Sequence, residues 1–347
     1  MAVIKAVQSG TISFTAADST KTATITAITT SKSCLFFTLS GNASSESRDN
    51  IVRSNITNST TLTFVRNVAS STVQVEWFIV EFSSGVAAQQ GYQAAVGTTT
   101  NVTITALTVA KSWSMFSQEN DSYGFDDTMP TSHIITSSTN LRLQRSGSVT
   151  TCNANWQVIE YDNASVQQVS KALAAGDTTN TSTITAVTTA KTFLCFSYRA
   201  TSSTASCEPR NSWICDLTNT TTMTYDRNTG NQAHTTQSYV VSISDNIAVQ
   251  RARKALAAGV SSGTATITAV TLSKTHVHSL NFEGMMLTDY NGGDEYEMDM
   301  AGIKIKFNST TQLSFARNAS SLYAATASWE TVEWASGGRT PDFMPFM

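Results

Sequence analysis

Thr22-Ala23-Thr24-Ile25-Thr26-Ala27-Ile28, closing on Lys32, is written four times in this chain of 347 residues. Near-copies occupy Asn101 to Leu107, Thr181 to Val187 and Thr264 to Val270, and each closes on an equivalent lysine, Lys111, Lys191 or Lys274. These lysines stand 79, 80 and 83 residues apart. A fixed period of this kind means that one supersecondary unit is built, repeated and packed against its copies. Within the phrase Thr alternates with Ala or Ile, the period of two that marks a half-buried strand.

Two further phrases keep the same order in every copy. Leu62-Thr63-Phe64-Val65-Arg66-Asn67 returns at Leu141 to Ser146, Met223 to Asn228 and Leu313 to Asn318. A tryptophan follows eleven residues after the arginine in the first two copies (Trp77, Trp156) and twelve after it in the fourth (Trp329). The third copy has Ser238-Tyr239 there instead. Val73 to Phe82 is apolar on both faces, which predicts a strand that is central in its sheet or touches a neighbouring unit or subunit. Clusters of Ser, Thr, Asn and Gly between the phrases read as turns.

The pattern predicts an all-β chain of four tandem antiparallel β-sandwich repeats of about 80 residues each, with a short C-terminal arm. The units fall at 1–84, 85–165, 166–247 and 248–336, and the arm at 337–347. Lys171 to Gly176 and Lys254 to Gly259, at the unit junctions, fit a short helix and an extended entry strand equally well.

Composition excludes several classes. Charged residues make up 14% and only 4 prolines occur, so the chain is neither disordered nor solvated by charge. The net charge is −3 and no basic stripe interleaves with aromatics, which argues against nucleic acid as a partner. The start Met1-Ala2-Val3-Ile4-Lys5 lacks the apolar core of a signal peptide, and no run approaches the length of a membrane span. The five cysteines (Cys34, Cys152, Cys195, Cys207 and Cys215) do not recur with the repeat, which predicts reduced thiols made in a cytoplasm rather than a disulfide framework. Asn-x-Ser/Thr triplets such as Asn55-Ile56-Thr57 then follow from composition alone.

Chemistry-bearing residues are few. The repeated arginines (Arg66, Arg145, Arg227, Arg317) are expected to pair with Glu81, Glu160 or Glu333 on the tryptophan strand. His276 and His278 share one strand face, the geometry with which a metal site begins. Without further His or Cys ligands nearby, they are expected to be half-exposed, and no metal or cofactor is assigned. Asp126-Asp127 and Glu119 read as loop carboxylates without counterparts in copies one or three, so an enzyme is not expected. The fourth copy is longer between lysine and arginine, and its acidic stretch carries Asp289, Asp294, Glu295 and Glu297, oxygen ligands for a partner or for calcium. After Gly337-Gly338, the apolar Phe343, Met344, Phe346 and Met347 suggest an arm that docks on a neighbouring subunit or folds back on the fourth repeat.

With its phrases laid out, the chain resembles tandem β-sandwich modules of virion proteins from tailed bacteriophages. The residues that carry the resemblance are the Thr-Ala-Thr-Ile-Thr-Ala phrase, the Phe-x-Arg-Asn phrase and the strand Val75-Glu76-Trp77-Phe78-Ile79-Val80-Glu81-Phe82. The second half of each module is similar to H-type lectin domains. The resemblance implies a non-enzymatic structural protein of the virion, attached to tail or head, that forms homo-oligomers and contacts other virion proteins. The alternative is an adhesin that binds host surface glycan through loop tips. It predicts exposed aromatics between lysine and arginine, with Trp113, Tyr123, Trp213 and Tyr290 as candidates, although Trp113 sits at a position where the other copies place core residues.

Overall fold

A computed structural model of the chain describes residues 2–41, 50–120, 130–147, 151–201, 212–228, 232–280, 302–317 and 324–334. Among the described residues each repeat has six strands. Repeat 1 runs β1 (Val3–Phe14), β2 (Thr20–Thr24), β3 (Ser33–Gly41), β4 (Arg53–Asn58), β5 (Thr61–Val65) and β6 (Val73–Ser84). Repeat 2 follows with β7 (Val86–Gln93), β8 (Thr99–Thr103), β9 (Ser112–Asn120), β10 (Ser132–Ser137), β11 (Asn140–Gln144) and β12 (Cys152–Tyr161). Repeat 3 carries β13 (Ala164–Leu173), β14 (Thr179–Thr183), β15 (Thr192–Ala200), β16 (Ile214–Leu217), β17 (Thr222–Asp226) and β18 (His234–Ile243). Repeat 4 carries β19 (Ala248–Leu256), β20 (Ser262–Thr266), β21 (Thr275–Ser279), β22 (Lys304–Ser309), β23 (Gln312–Ala316) and β24 (Ala325–Glu333). The stretches around Lys171 and Lys254 are strand, not helix: β13 and β19 run through them into the turns that follow.

In every repeat the first, sixth and third strands form one antiparallel sheet, and the second, fifth and fourth form another. The tryptophan strand is therefore the centre of the first sheet, with β6 between β1 and β3 and β12, β18 and β24 placed alike. One of its faces meets the small sheet of its own repeat. The other meets the preceding repeat around the ring, which is why it is apolar on both sides.

Local devices repeat with the strands. Trp77 lies opposite Gly10, where a Cβ would sit 2.6 Å from the indole, and Trp156 lies opposite Gly91, where it would sit 2.4 Å away. Repeat 3 replaces the tryptophan with Ser238 and the glycine opposite with Val169, so volume lost on one strand returns on the other. A glutamine on each first strand (Gln8, Gln89, Gln167, Gln250) donates to the carbonyl of Thr26, Thr105, Thr185 or Thr268, at 2.9 to 3.0 Å. Its Oε1 accepts from the N–H of the same residue, at 2.6 to 2.8 Å.

The repeated arginines take a different role from the expected one. Arg66 donates to the carbonyls of Asp18 at 2.8 Å and Thr15 at 2.7 Å. Arg227 does the same to Asp177 and Ala174, and Arg317 to Val260 and Ala257. Arg145 donates to Val96. Each guanidinium thus pins the turn after the first strand. The glutamates instead accept the N–H of the residue that opens the short helical turn before the repeat lysine: Thr29 to Glu81, Thr108 to Glu160 and Thr271 to Glu333.

The four repeats close into a ring. Each fourth strand packs on the sheet that holds the tryptophan strand of the next repeat: β4 on β9 and β12, β10 on β15 and β18, β16 on β24, and β22 on β3 and β6. The last contact joins repeat 4 to repeat 1, so the first and last repeats meet by the same geometry that joins the interior ones. No described helix is long and apolar enough to cross a membrane.

Candidate functional site

Alternate residues of a strand share a face, and on the third strands that face points to the axis of the ring. Just beyond the level where these strands begin, Phe82, Tyr161, Ile243 and Trp334 occupy equivalent positions at the ends of the central strands. Phe82 meets Trp334 at 5.0 Å between ring centroids and Tyr161 at 5.7 Å, while Tyr161 reaches Trp334 across the ring at 5.8 Å. The next level is Cys34, Trp113, Phe193 and His276, with Trp113 edge-on to Phe193. Above it come Phe36, Met115, Cys195 and His278. Phe36 stacks on His276 at 3.9 Å and lies 5.5 Å from His278. These layers plug the axis. A cavity of about 150 Å³ lies beyond them, lined by third-strand residues of all four repeats, among them Thr38, Ser117 and Ser197.

His276 and His278 are therefore buried, not half-exposed. They sit where repeats 3, 4 and 1 meet. Among the described residues no group of three or more His, Cys, Asp or Glu is placed to hold a metal. Trp113 and Trp213 are buried as well, so neither offers a ring to a glycan. Cys34, Cys152, Cys195 and Cys215 are buried thiols outside any disulfide, and burial pushes the Cys34 thiol up. Glu119 lies on β9, 3.0 Å from Arg53, rather than in a loop. Asp126, Asp127, Tyr123 and Tyr290 fall outside the described residues, as do Asp289, Asp294, Glu295, Glu297, Phe343, Met344, Phe346 and Met347.

The residue after the tryptophan position faces the preceding repeat, and it differs in all four copies: Phe78, Gln157, Tyr239 and Glu330. Gln157 accepts from the N–H of Leu35 and donates to its carbonyl, both at 2.9 Å. Tyr239 contacts Ser114 Oγ at 2.7 Å and accepts from the N–H of Ile135 at 2.8 Å. Glu330 accepts from the N–H of Leu194 at 2.8 Å, His278 Nε2 donates to the Leu194 carbonyl at 3.0 Å, and Arg251 Nε pairs with Glu330 at 2.9 Å. Burial alone would raise the Glu330 carboxyl, but Arg251, His278 and the Leu194 N–H outweigh it and hold the group below the ordinary range. Phe78 makes the fourth junction with rings, edge-on to Phe307 at 5.9 Å.

One of these contacts has the composition of a nucleophile and base. Ser114 Oγ lies 2.7 Å from His133 Nδ1. Burial lowers the His133 pKa to about 3, and Ser114 is also bonded to Tyr239. A neutral imidazole that weakly basic is a poor general base near neutral pH, so the pair serves the junction. Sequence reasoning missed the Gln latch and the junction residue. Gln8, Gln89, Gln167 and Gln250 recur with the period and were legible in principle, whereas Phe78, Gln157, Tyr239 and Glu330 share no chemistry that periodicity would register. No protein-family model matches the chain, and no curated protein matches it.

Proposed function

We propose that this chain is a non-enzymatic structural protein of a tailed-phage virion, an accessory component of tail or head that assembles through contacts with other virion proteins. The observation that supports this reading best is the ring closed within one chain. Its third strands end, and its fourth strands begin, around one end of the axis, where Thr38, Ser54, Ser117, Thr131 and Ser197 gather at the cavity. The strands that flank the four intervening stretches, whose sequences differ most between copies, thus meet on one platform. A scaffold of this kind suits attachment and spacing, with divergent segments making contacts that a strictly repeated unit would not. The acidic stretch of repeat 4 and the apolar arm are the proposed partner contacts.

The test is proteomics of density-purified phage particles from a culture that expresses the chain. The proposal expects this protein to band with intact virions at a fixed ratio to the major capsid protein. Recovery only in the soluble fraction would end it.

A further inference from the structure

The position after Gly91 on β7 separates the junction of repeats 1 and 2 from the other three. Its equivalents on the other first strands are Thr11, Ser170 and Arg253, and all are engaged. Thr11 donates to Glu76 at 2.6 Å, Ser170 accepts from Gln237 at 3.1 Å, and Arg253 pairs with Asp216 and Asp226. Repeat 2 places Tyr92 there, and it is 52% exposed, more than any other large hydrophobic residue described. The ring forms one wall of a groove of about 210 Å³ between β4, β7 and β12.

The rest of the groove is amide. Asn55 and Gln90 line it, with Asn155 and Gln157 beside them. Gln90 Nε2 donates to the Ile56 carbonyl at 3.0 Å, which fixes the side chain and leaves its Oε1 to accept. Asn155 Oδ1 accepts from Arg53 Nη1 at 2.8 Å, which leaves Asn155 Nδ2 to donate. Arg53 stacks on Tyr92, 4.8 Å from the ring centroid, and its charge is answered by Glu119 at 3.0 Å. The groove therefore offers a flat, half-exposed aromatic face held by a guanidinium, several oriented amide donors and acceptors, and balanced charge.

That combination suits a neutral polyol ring. The C–H face of a pyranose stacks on an aromatic plane, and its equatorial hydroxyls both donate and accept, as primary amides do. An anion would gain little, because Arg53 is already paired, and an apolar ligand would leave the amides unsatisfied. We propose that the groove between repeats 1 and 2 binds a neutral saccharide, one terminal hexose unit stacked on Tyr92 with its hydroxyls bonded by Asn55, Gln90 and Asn155. The site is independent of the virion reading and differs from the loop-tip sites that an adhesin of repeated units would use.

Saturation-transfer NMR of the full chain against glucose, galactose, mannose and N-acetylglucosamine, followed by titration of the best binder, tests this. At least one sugar should bind and shift the Tyr92 resonances. Tyr92→Ala should weaken it by about tenfold or more, whereas Tyr92→Phe keeps the ring and most of the affinity. Tyr92 is half-exposed, so thermal unfolding of the alanine variant should match the parent and separate lost binding from lost fold. Absence of transfer from all four sugars, or binding that survives Tyr92→Ala unchanged, would overturn the assignment.

Discussion

The junction between repeats 3 and 4 and the junction between repeats 4 and 1 stand on equivalent strands and hold together by opposite means. The first buries a charged cluster, in which Arg251, Glu330 and His278 grip the backbone of Leu194. The second buries rings, with Phe36 on His276 and Phe78 against Phe307, and adds a hydrogen bond between Thr38 and the N–H of Ile305. The backbone frame fixes where neighbours meet, while the side chain at one position fixes which neighbour is accepted. A wrong pairing would leave the Glu330 carboxylate or the Gln157 amide buried without partners, at a cost of several kcal/mol. Four different junctions thus specify the order of repeats around the ring, which four identical ones would not.

Acid should strain both kinds of junction, and it has the largest expected effect. His133, His234 and His276 are held neutral mainly by burial, the first two with pKa values lowered to about 3 and the third well below its ordinary value. In the unfolded chain each takes up a proton near pH 6.5. Between that point and the lower folded-state values the unfolded state binds more protons, so stability falls as pH falls through this window. At pH 5 the loss is about 2 kcal/mol each for His133 and His234, and His276 adds to it in the same direction. Urea midpoints at pH 7 and pH 5 would show it, and equal midpoints would mean that these imidazoles are not buried.

Substitution at one junction separates frame from chemistry. Arg251→Met leaves the Glu330 charge buried and unpaired, and should cost about 3–5 kcal/mol in chemical denaturation. Arg251→Gln combined with Glu330→Gln imports the residues found at Gln90 and Gln157, and should recover most of that loss. If the double variant is no better than the single one, the junctions are not interchangeable frames. A smaller effect tests the tryptophan notch. Gly10→Val should cost about 1–3 kcal/mol by overpacking against Trp77. Adding Trp77→Ser, the arrangement of Val169 and Ser238, should make the pair less damaging than the sum of its parts. Smallest is the latch common to all repeats: Gln8→Ala removes two hydrogen bonds between the middle of β1 and the stretch after β2, and should cost about 1 kcal/mol, measured in the same way.

These contrasts also show what the sequence could reveal. Strand positions were legible because Thr-Ala-Thr-Ile-Thr-Ala alternates with period two and recurs, and the apolar faces of Val73 to Phe82 announced a strand covered on both sides. Ring closure was not legible. Nothing in a linear repeat distinguishes a row of units from a circle, since the decisive contact pairs Lys304 with Gln74, 230 residues apart. The arginines misled for a related reason. A buried guanidinium suggests a carboxylate partner, but backbone carbonyls at a turn satisfy it equally well and leave no mark in the sequence. His276 and His278 read as half-exposed because their cover, Phe36, belongs to the opposite end of the chain.

The closed ring is tested most directly at the seam between repeats 4 and 1. Lys304 Nζ lies 2.6 Å from Gln74 Oε1, so Gln74→Glu places a carboxylate within zero-length carbodiimide coupling of that lysine. The pair Lys5 and Glu81, 2.9 Å apart within repeat 1, serves as the internal control. Peptide mapping of the monomer fraction should recover both cross-links, Lys5 to Glu81 and Lys304 to position 74. Recovery of the control alone, or of the seam only in cross-linked dimers, would mean that the four repeats do not close within one chain.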